Sequence, residues 1–81
     1  MFVLFMLDTC PYCRKVIKFI EDNNIDYISK NISDNLNMSE LIKLGGKEQV
    51  PFLYDSDTNK GMYESDDIIK YLEFTGNNYE K

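Results

Sequence analysis

The chain has 81 residues, of which 43% are hydrophobic and 14% aromatic, and it carries a formal net charge of −5. A chain of this length buries only about 60% of its unfolded surface, so we expect a single domain over residues 1–81. Basic and acidic residues balance in residues 1–47, and residues 48–81 carry the whole acidic excess; without a basic stripe, binding to nucleic acid or to anionic membranes is not expected.

The first predicted element is a strand from Phe2 to Met6. The apolar run that contains it, Met1 to Leu7, spans only seven residues, whereas a membrane span needs about 20. The run also lacks the basic segment and the cleavage site of a signal peptide. We therefore interpret it as a central strand covered on both faces, and we expect the protein to be cytoplasmic and monomeric.

A helix and a second strand follow the first strand. Pro11 lies where a helix tolerates proline best, in the first turn, and Val16, Ile17 and Ile20 repeat at helical spacing on one face. Asn23-Asn24 ends this helix. The segment Tyr27 to Ile32 is less apolar and predicts a second strand at an edge of the sheet, which completes a βαβ unit with parallel strands.

The remaining elements predict a helix, two strands and a final helix. Asn37 and Glu40 form a plausible capping pair for a helix that ends at Gly45-Gly46. Strands are predicted at Val50 to Tyr54 and at Lys60 to Tyr63. Ser65 is a good N-cap for the last helix, because the acidic residues that follow it suit a helix N-terminus. The order βαβ-α-ββα indicates an α/β domain with a four-stranded mixed sheet flanked by helices.

The chemistry-bearing motif is Thr9-Cys10-Pro11-Tyr12-Cys13, which follows the first strand and opens the first helix. Free backbone N–H groups of a first helical turn point at such a sulfur and favour its thiolate, the reactive form. Arg14 and Lys15 follow within one turn and add positive potential. Cys13 lies one turn after Cys10 on the inward side, so that Cys10 attacks a disulfide and Cys13 resolves the product.

A metal site is the alternative interpretation of two closely spaced cysteines. Zinc sites and iron–sulfur clusters generally use four Cys or His ligands, and the chain offers two cysteines and no histidine. Only a dimer or a ligand from outside the chain would complete the set. We therefore predict redox chemistry and no metal.

Cys10-Pro11-Tyr12-Cys13 resembles the dithiol active-site motif of the glutaredoxins, and the resemblance extends over nearly the whole chain. The segment GKEQVPF, residues 46–52, is similar to the glutaredoxin segment before the third strand, with Gln49 where the family usually has Thr. The resemblance implies a minimal thioredoxin-like fold, a cis peptide before Pro51, and pairing of the Val50 backbone with the cysteinyl part of glutathione. From the residues alone, Pro51 also has a structural interpretation, because proline is tolerated at the start of a strand.

The segment from Tyr63 to Asp67 resembles the site where glutaredoxins bind the γ-glutamyl end of glutathione, and Glu64-Ser65 is also similar to the N-terminal domain of glutathione transferases. Ser65 and the first amides of the last helix can receive a carboxylate, and Asp66 can receive an ammonium group. The same residues are also an ordinary helix start. The predicted glutathione groove consists of Tyr12, Gln49, Val50, Pro51, Ser65 and Asp66.

Two positions depart from the family pattern. Glutaredoxins commonly have a lysine three residues before the first cysteine, where this chain has Leu7. A basic or amide residue is usual early in the second helix, at the position of Met38. Both family residues typically bind the glycine carboxylate of glutathione, so this chain lacks the usual partners for that group.

The sequence predicts a thiol–disulfide oxidoreductase in which Cys10 is the nucleophile and Cys13 the resolving thiol. Its partners are glutathione, as the co-substrate that recycles the enzyme, and client proteins with disulfides or bound glutathione. One alternative is a protein-specific dithiol carrier recycled by a flavoprotein reductase. The other is a module that binds glutathione or a cluster without turnover.

Overall fold

A mixed sheet forms the middle of the molecule. The computed structural model describes the backbone of residues 1–79 and the side chains of residues 1–75, and within that part four strands lie in the order β2-β1-β3-β4. β1 and β2 are parallel, and the other two strand pairs are antiparallel. The predicted α/β architecture is therefore confirmed. The elements are β1 (Phe2–Met6), α1 (Pro11–Asp22), β2 (Tyr27–Asn31), α2 (Asn35–Gly45), β3 (Phe52–Asp55), β4 (Lys60–Met62) and α3 (Ser65–Tyr79).

β1 is an inner strand with apolar residues on both faces. Successive side chains of a strand point to opposite faces, and Leu4, Phe5 and Met6 are all buried. Leu4 and Met6 pack into one apolar cluster, and Phe5 packs into another. The continuous apolar run therefore reflects a strand that is covered on both sides.

The larger apolar cluster lies between the sheet and the pair of helices α1 and α3. Residues at helical spacing on both helices meet the buried face of β1 and β3, and Cys13 belongs to this cluster. Burial of so many apolar side chains is the main stabilising contribution to the fold. Its buried members are Leu4, Met6, Cys13, Val16, Ile20, Leu53, Ile68 and Leu72.

The smaller apolar cluster lies on the opposite face of the sheet, under α2. It consists of Phe5, Ile32, Leu41 and Phe52. Phe5 lies opposite Phe52 in the antiparallel register, and their ring centroids are 5.8 Å apart. The two clusters make a three-layer arrangement with the sheet in the middle. In the described residues no helix is long and apolar enough to cross a bilayer.

The ring of Phe52 is enclosed by two glycines and a tyrosine. It is 1% exposed, and its centroid lies 4.6 Å from that of Tyr63. A Cβ atom on Gly61 would lie 2.5 Å from Cζ of Phe52, and one on Gly45 would clash first with the Tyr63 hydroxyl and would also lie 3.0 Å from Cε1 of Phe52. The Phe52 ring therefore requires glycine at position 61, and Tyr63 is the main reason for glycine at position 45.

The predicted start of α2 is wrong. Asp34, not Asn37, is the N-cap, and its carboxylate accepts a hydrogen bond from the Leu36 amide at 2.8 Å. Glu40 instead accepts a hydrogen bond from Lys30 of β2 at 2.5 Å. The predicted end is correct, because Gly46 caps the helix with φ +86°, a conformation that favours glycine.

The other boundaries agree with the sequence prediction to within about two residues. Asn23 is the C-cap of α1, as expected. β3 begins at Phe52 rather than at Val50, and β4 ends at Met62 rather than at Tyr63. Residues 50, 51 and 63 are thereby left outside the sheet, next to the ends of the strands.

A buried carboxylate lies at the far end of β3. Asp55 is 4% exposed, and it accepts hydrogen bonds from the Tyr71 hydroxyl at 2.6 Å and from the Asp57 amide at 3.0 Å. Burial and the hydrogen bond to Asp55 raise the pKa of Tyr71 above its usual value. This contact joins α3 to the sheet.

Candidate functional site

The two cysteines lie where β1 passes into α1. The Leu7 carbonyl accepts a hydrogen bond from the Cys10 amide at 3.2 Å, which closes a short turn after the strand. Cys10 is the N-cap of α1 and Pro11 follows it in the first turn. The Cys10 sulfur accepts a hydrogen bond from the Cys13 amide at 3.3 Å. A helix N-terminus therefore faces the Cys10 sulfur and favours negative charge on it.

Cys10 and Cys13 differ in accessibility. Cys10 is half-buried and Cys13 is fully buried, and both are free thiols. Burial, together with the hydrogen bond and the charge of Cys10, raises the pKa of Cys13 to about 12. At neutral pH Cys13 thus keeps its proton, and Cys10 is the thiol that a substrate can reach.

The two basic residues after Cys13 contact other groups. Arg14 donates a hydrogen bond from Nε to the Asp8 carbonyl at 3.0 Å. Lys15 Nζ lies 2.7 Å from Oδ1 of Asp66 at the start of α3. The positive charge expected to act on Cys10 is therefore directed in part to Asp8 and Asp66.

A cleft of about 420 Å³ lies beside the N-terminus of α1. Three separate segments form its walls: the first turn of α1, the residues that lead into β3, and the start of α3. The peptide bond between Val50 and Pro51 is cis, as the resemblance implied. The cleft contains all six residues predicted for the glutathione groove and two others: Tyr12, Gln49, Val50, Pro51, Tyr63, Glu64, Ser65 and Asp66.

Tyr63 is a cleft residue that the sequence prediction did not select. Its hydroxyl donates to the Lys47 carbonyl and accepts from the Lys47 amide, each at 3.0 Å. Its ring packs on Phe52, and Lys47 Nζ lies 5.3 Å from the centre of the Tyr63 ring. Tyr63 therefore fixes the loop before the cis peptide against β4. Tyr63 could have been predicted as a cleft residue from the sequence, because it directly precedes Glu64-Ser65.

The start of α3 forms one end of the cleft. The Glu64 carbonyl accepts the first helical hydrogen bond, from the Ile68 amide at 2.8 Å, so Glu64 occupies the capping position and the prediction that Ser65 is the N-cap is wrong by one residue. Ser65 is the first helical residue and is 9% exposed. The hydrogen bond and charge of Lys15 lower the pKa of Asp66.

Leu7 and Met38, the two departures from the family pattern, both contact apolar groups. Each is half-buried and packs against the smaller cluster, as Val50 also does. Neither is a lining residue of the cleft. Among the described residues, no three side chains of Cys, His, Asp or Glu are grouped so that they could bind a metal ion.

Comparisons with known proteins extend these observations. Residues 4–78 match the family model "Glutathione S-transferase, N-terminal domain". An uncharacterized glutaredoxin-like 8.6 kDa protein in the rubredoxin operon of Clostridium pasteurianum is 28% identical over 54 residues, which are 65% of this chain and 72% of the relative.

Solved structures share the fold. Glutathione transferase Omega 3C from Trametes versicolor superposes with a TM-score of 0.80 at 24% identity, over 91% of this chain and 33% of that one. The glutaredoxin grx-1 from Archaeoglobus fulgidus has a TM-score of 0.67 at 17% identity, over 78% of this chain and 73% of that one. The chain thus spans about a third of the length of the transferase. These matches and the βαβ-α-ββα order identify a thioredoxin-like fold, and the chain belongs to the family of glutathione S-transferase N-terminal domains, within the glutaredoxin and thioredoxin-like group.

Proposed function

We propose that this protein is a glutathione-dependent thiol–disulfide oxidoreductase that reduces protein disulfides and glutathione mixed disulfides. The observation that carries the proposal is the half-buried Cys10 sulfur at the N-terminus of α1, with the buried Cys13 thiol behind it. A thiolate is the nucleophile in thiol–disulfide exchange. The arrangement therefore supplies one accessible nucleophile and one protected thiol.

The reaction on a glutathionylated client proceeds by two exchanges. The Cys10 thiolate attacks the glutathione sulfur, a bond forms between these two sulfurs, and the client leaves as a thiolate that takes a proton from solvent. A second glutathione thiolate then attacks the same glutathione sulfur, which releases Cys10 and glutathione disulfide. On a client with an internal disulfide, the Cys10 thiolate attacks one client sulfur and the other client sulfur leaves as a thiolate. Cys13 then gives up its proton and attacks Cys10, which releases the second client sulfur to take up a proton and leaves a disulfide between Cys10 and Cys13. Two glutathione molecules reduce this disulfide by two further exchanges and leave as glutathione disulfide.

The cleft is the proposed binding site for the glutathione moiety. The Val50 backbone lies next to the cis peptide bond, where it can pair with the cysteinyl unit. Ser65 and the first amides of α3 can receive the γ-glutamyl carboxylate, because a helix N-terminus favours an anion. Asp66 can receive the ammonium group, and Tyr12 and Gln49 line the walls. We also propose that the protein acts as a cytoplasmic monomer.

Two cysteine variants test the assignment of roles. Cys10→Ser should abolish exchange on every substrate, because the Cys13 thiol is fully buried and protonated. Cys13→Ser should keep most activity on a glutathionylated peptide, since glutathione itself resolves that intermediate, and should lose most activity on a protein disulfide. Turnover is measured by coupling to glutathione reductase. Equal inactivation of both variants on the glutathionylated peptide would contradict the proposal.

The same assay distinguishes the alternative carrier function, which the apolar packing of Leu7 and Met38 favours. Neither residue can bind the glycine carboxylate through a charge. If thioredoxin reductase supports turnover of a protein disulfide and glutathione with glutathione reductase does not, the protein is a dithiol carrier. Iron and visible colour after anaerobic purification, without turnover in either assay, would indicate the binding module.

A further inference from the structure

One ion pair joins the two helices that border the cleft. Lys15 of α1 and Asp66 of α3 are separated by 51 residues in the chain, and Lys15 Nζ lies 2.7 Å from Asp66 Oδ1. Asp66 lines the cleft and Lys15 does not. Lys15 therefore approaches the carboxylate from outside the binding surface.

This ion pair weakens the attraction between the Asp66 carboxylate and a positively charged group of a ligand. An ammonium group that approaches Asp66 from the cleft is attracted by the carboxylate and repelled by the Lys15 ammonium, which lies next to the same carboxylate. The attraction to the carboxylate and the repulsion from the Lys15 ammonium act on the ligand cation with opposite sign. The net attraction for the incoming cation is therefore smaller than a free carboxylate would give.

We propose that Lys15 is a specificity-determining residue that, by pairing with Asp66, suppresses the preference of the cleft for ligands with a free α-ammonium group. The cleft then accepts thiols with a deaminated γ-glutamyl head alongside glutathione. The inference rests on the proposed function, because it assigns Asp66 to the ammonium end of the ligand. Lys15 is a positioning residue, since it acts on the ligand through Asp66.

Lys70 supplies a matched control on the same carboxylate. It lies one turn after Asp66 on α3, is exposed, and also lowers the pKa of Asp66 through its charge. The hydrogen bond to Asp66 comes from Lys15. Replacing Lys70 therefore removes the same formal charge from the protein while the pair between Lys15 and Asp66 stays in place.

The test compares two non-reacting ligands that differ only at the α-carbon. The first is S-methylglutathione, and the second is its deamino analogue, S-methyl-glutaryl-cysteinylglycine. Dissociation constants are measured by NMR titration at low ionic strength for the wild type and for Lys15→Met, Lys15→Arg and Lys70→Met. The measured quantity is the ratio of the two dissociation constants, which isolates the contribution of the ammonium group.

In Lys15→Met the preference for S-methylglutathione should rise about two- to fivefold, the range expected for one exposed ion pair. Lys15→Arg should keep the wild-type ratio, and Lys70→Met should change it clearly less than Lys15→Met does, because Lys70 acts on Asp66 through its charge and makes no hydrogen bond to it. Added salt should reduce the gain. Adding Asp66→Asn to Lys15→Met should remove the gain, because the ammonium then loses the carboxylate that Lys15 pairs with.

An unchanged or smaller ratio in Lys15→Met, an equal rise in Lys70→Met, or persistence of the gain with Asp66→Asn would overturn the inference. These results leave the proposed function intact if the wild type binds both ligands and reduces a glutathionylated peptide. A wild type that neither binds the ligands nor turns over the peptide would overturn the proposed function and this inference together.

Discussion

Because Cys13 is buried and Cys10 is partly accessible, the two thiols differ in reactivity. Cys13 packs among apolar residues of α1, α3 and the sheet, so its charged form is poorly solvated and the pKa rises to about 12. The Cys10 sulfur, by contrast, lies at a helix N-terminus and is partly accessible. The same turn of helix therefore presents one thiol to solvent and shields the other.

We expect iodoacetamide to label one cysteine of the reduced, folded protein at pH 8. Cys10 should react, and Cys13 should stay unlabelled, because it is both inaccessible and protonated at that pH. Mass spectrometry of the digested protein identifies the labelled residue. The control is labelling in concentrated urea, where both cysteines should react, and comparable labelling of Cys13 in the folded protein would contradict this expectation.

The elements next to the cleft are held by close contacts around Phe52. Its ring is packed against Gly61 of β4, Gly45 of α2 and Tyr63, and Tyr63 in turn is hydrogen-bonded to Lys47. These contacts connect the end of α2, the loop before the cis peptide bond and the end of β4. The shape of the cleft wall thus depends on a ring that lies outside the cleft.

Gly61→Ala should lower the free energy of unfolding by about 1–3 kcal/mol, the usual cost of overpacking a core. The added Cβ would lie 2.5 Å from Cζ of Phe52, a buried ring that is already packed against Phe5 and Tyr63. Denaturant unfolding monitored by circular dichroism measures the change.

The control for Gly61→Ala is the double variant with Phe52→Leu. The smaller side chain leaves room for the Cβ, so the cost of Gly61→Ala in that background should be clearly smaller than in the wild type, because contacting residues couple. Additive costs would mean that the contact with Phe52 does not explain why residue 61 is glycine.

At the scale of the whole molecule, three groups predict the response to alkaline pH. The pKa values of Cys13, Tyr27 and Tyr71 are all raised, chiefly by burial. A group whose pKa is higher in the folded state stabilises the fold below its unfolded pKa and loses that contribution as the pH rises. The free energy of unfolding of the reduced protein should therefore decrease from about pH 9 upward.

Tyr71→Phe should flatten part of this alkaline decrease. At neutral pH the variant should be less stable by about 1–3 kcal/mol, because the buried Asp55 carboxylate loses a hydrogen-bond donor. Urea unfolding between pH 7 and 11 gives both quantities, with Tyr27→Phe as the control that removes a titrating group without removing the hydrogen bond to Asp55. An alkaline decrease in Tyr71→Phe as steep as in the wild type would exclude Tyr71 as a contributor.

The elements and most cleft residues were predictable because the patterns that indicate them each lie within a few neighbouring residues. Examples are the apolar run of β1, the end of α2 at Gly46 and the spacing of the cysteines. The contacts of Glu40 and Lys15 were not predictable in this way: Glu40 pairs with Lys30 across 10 residues and Lys15 with Asp66 across 51. Asp34 was missed as a cap because several neighbouring residues are equally good caps.

The strand order also has a consequence for synthesis of the chain. The ribosome makes β1 before β3, and the two strands pair with Phe2 opposite Asp55, about 50 residues apart in the chain. The helix α3 covers the face of β1 that packs into the larger apolar cluster, and it is made after β3. A nascent chain that lacks β3 therefore leaves one edge of β1 unpaired, and a chain that lacks α3 leaves part of the cluster around Leu4 and Met6 uncovered; surfaces of both kinds promote aggregation. We expect stable folding to await the emergence of α3 from the ribosome.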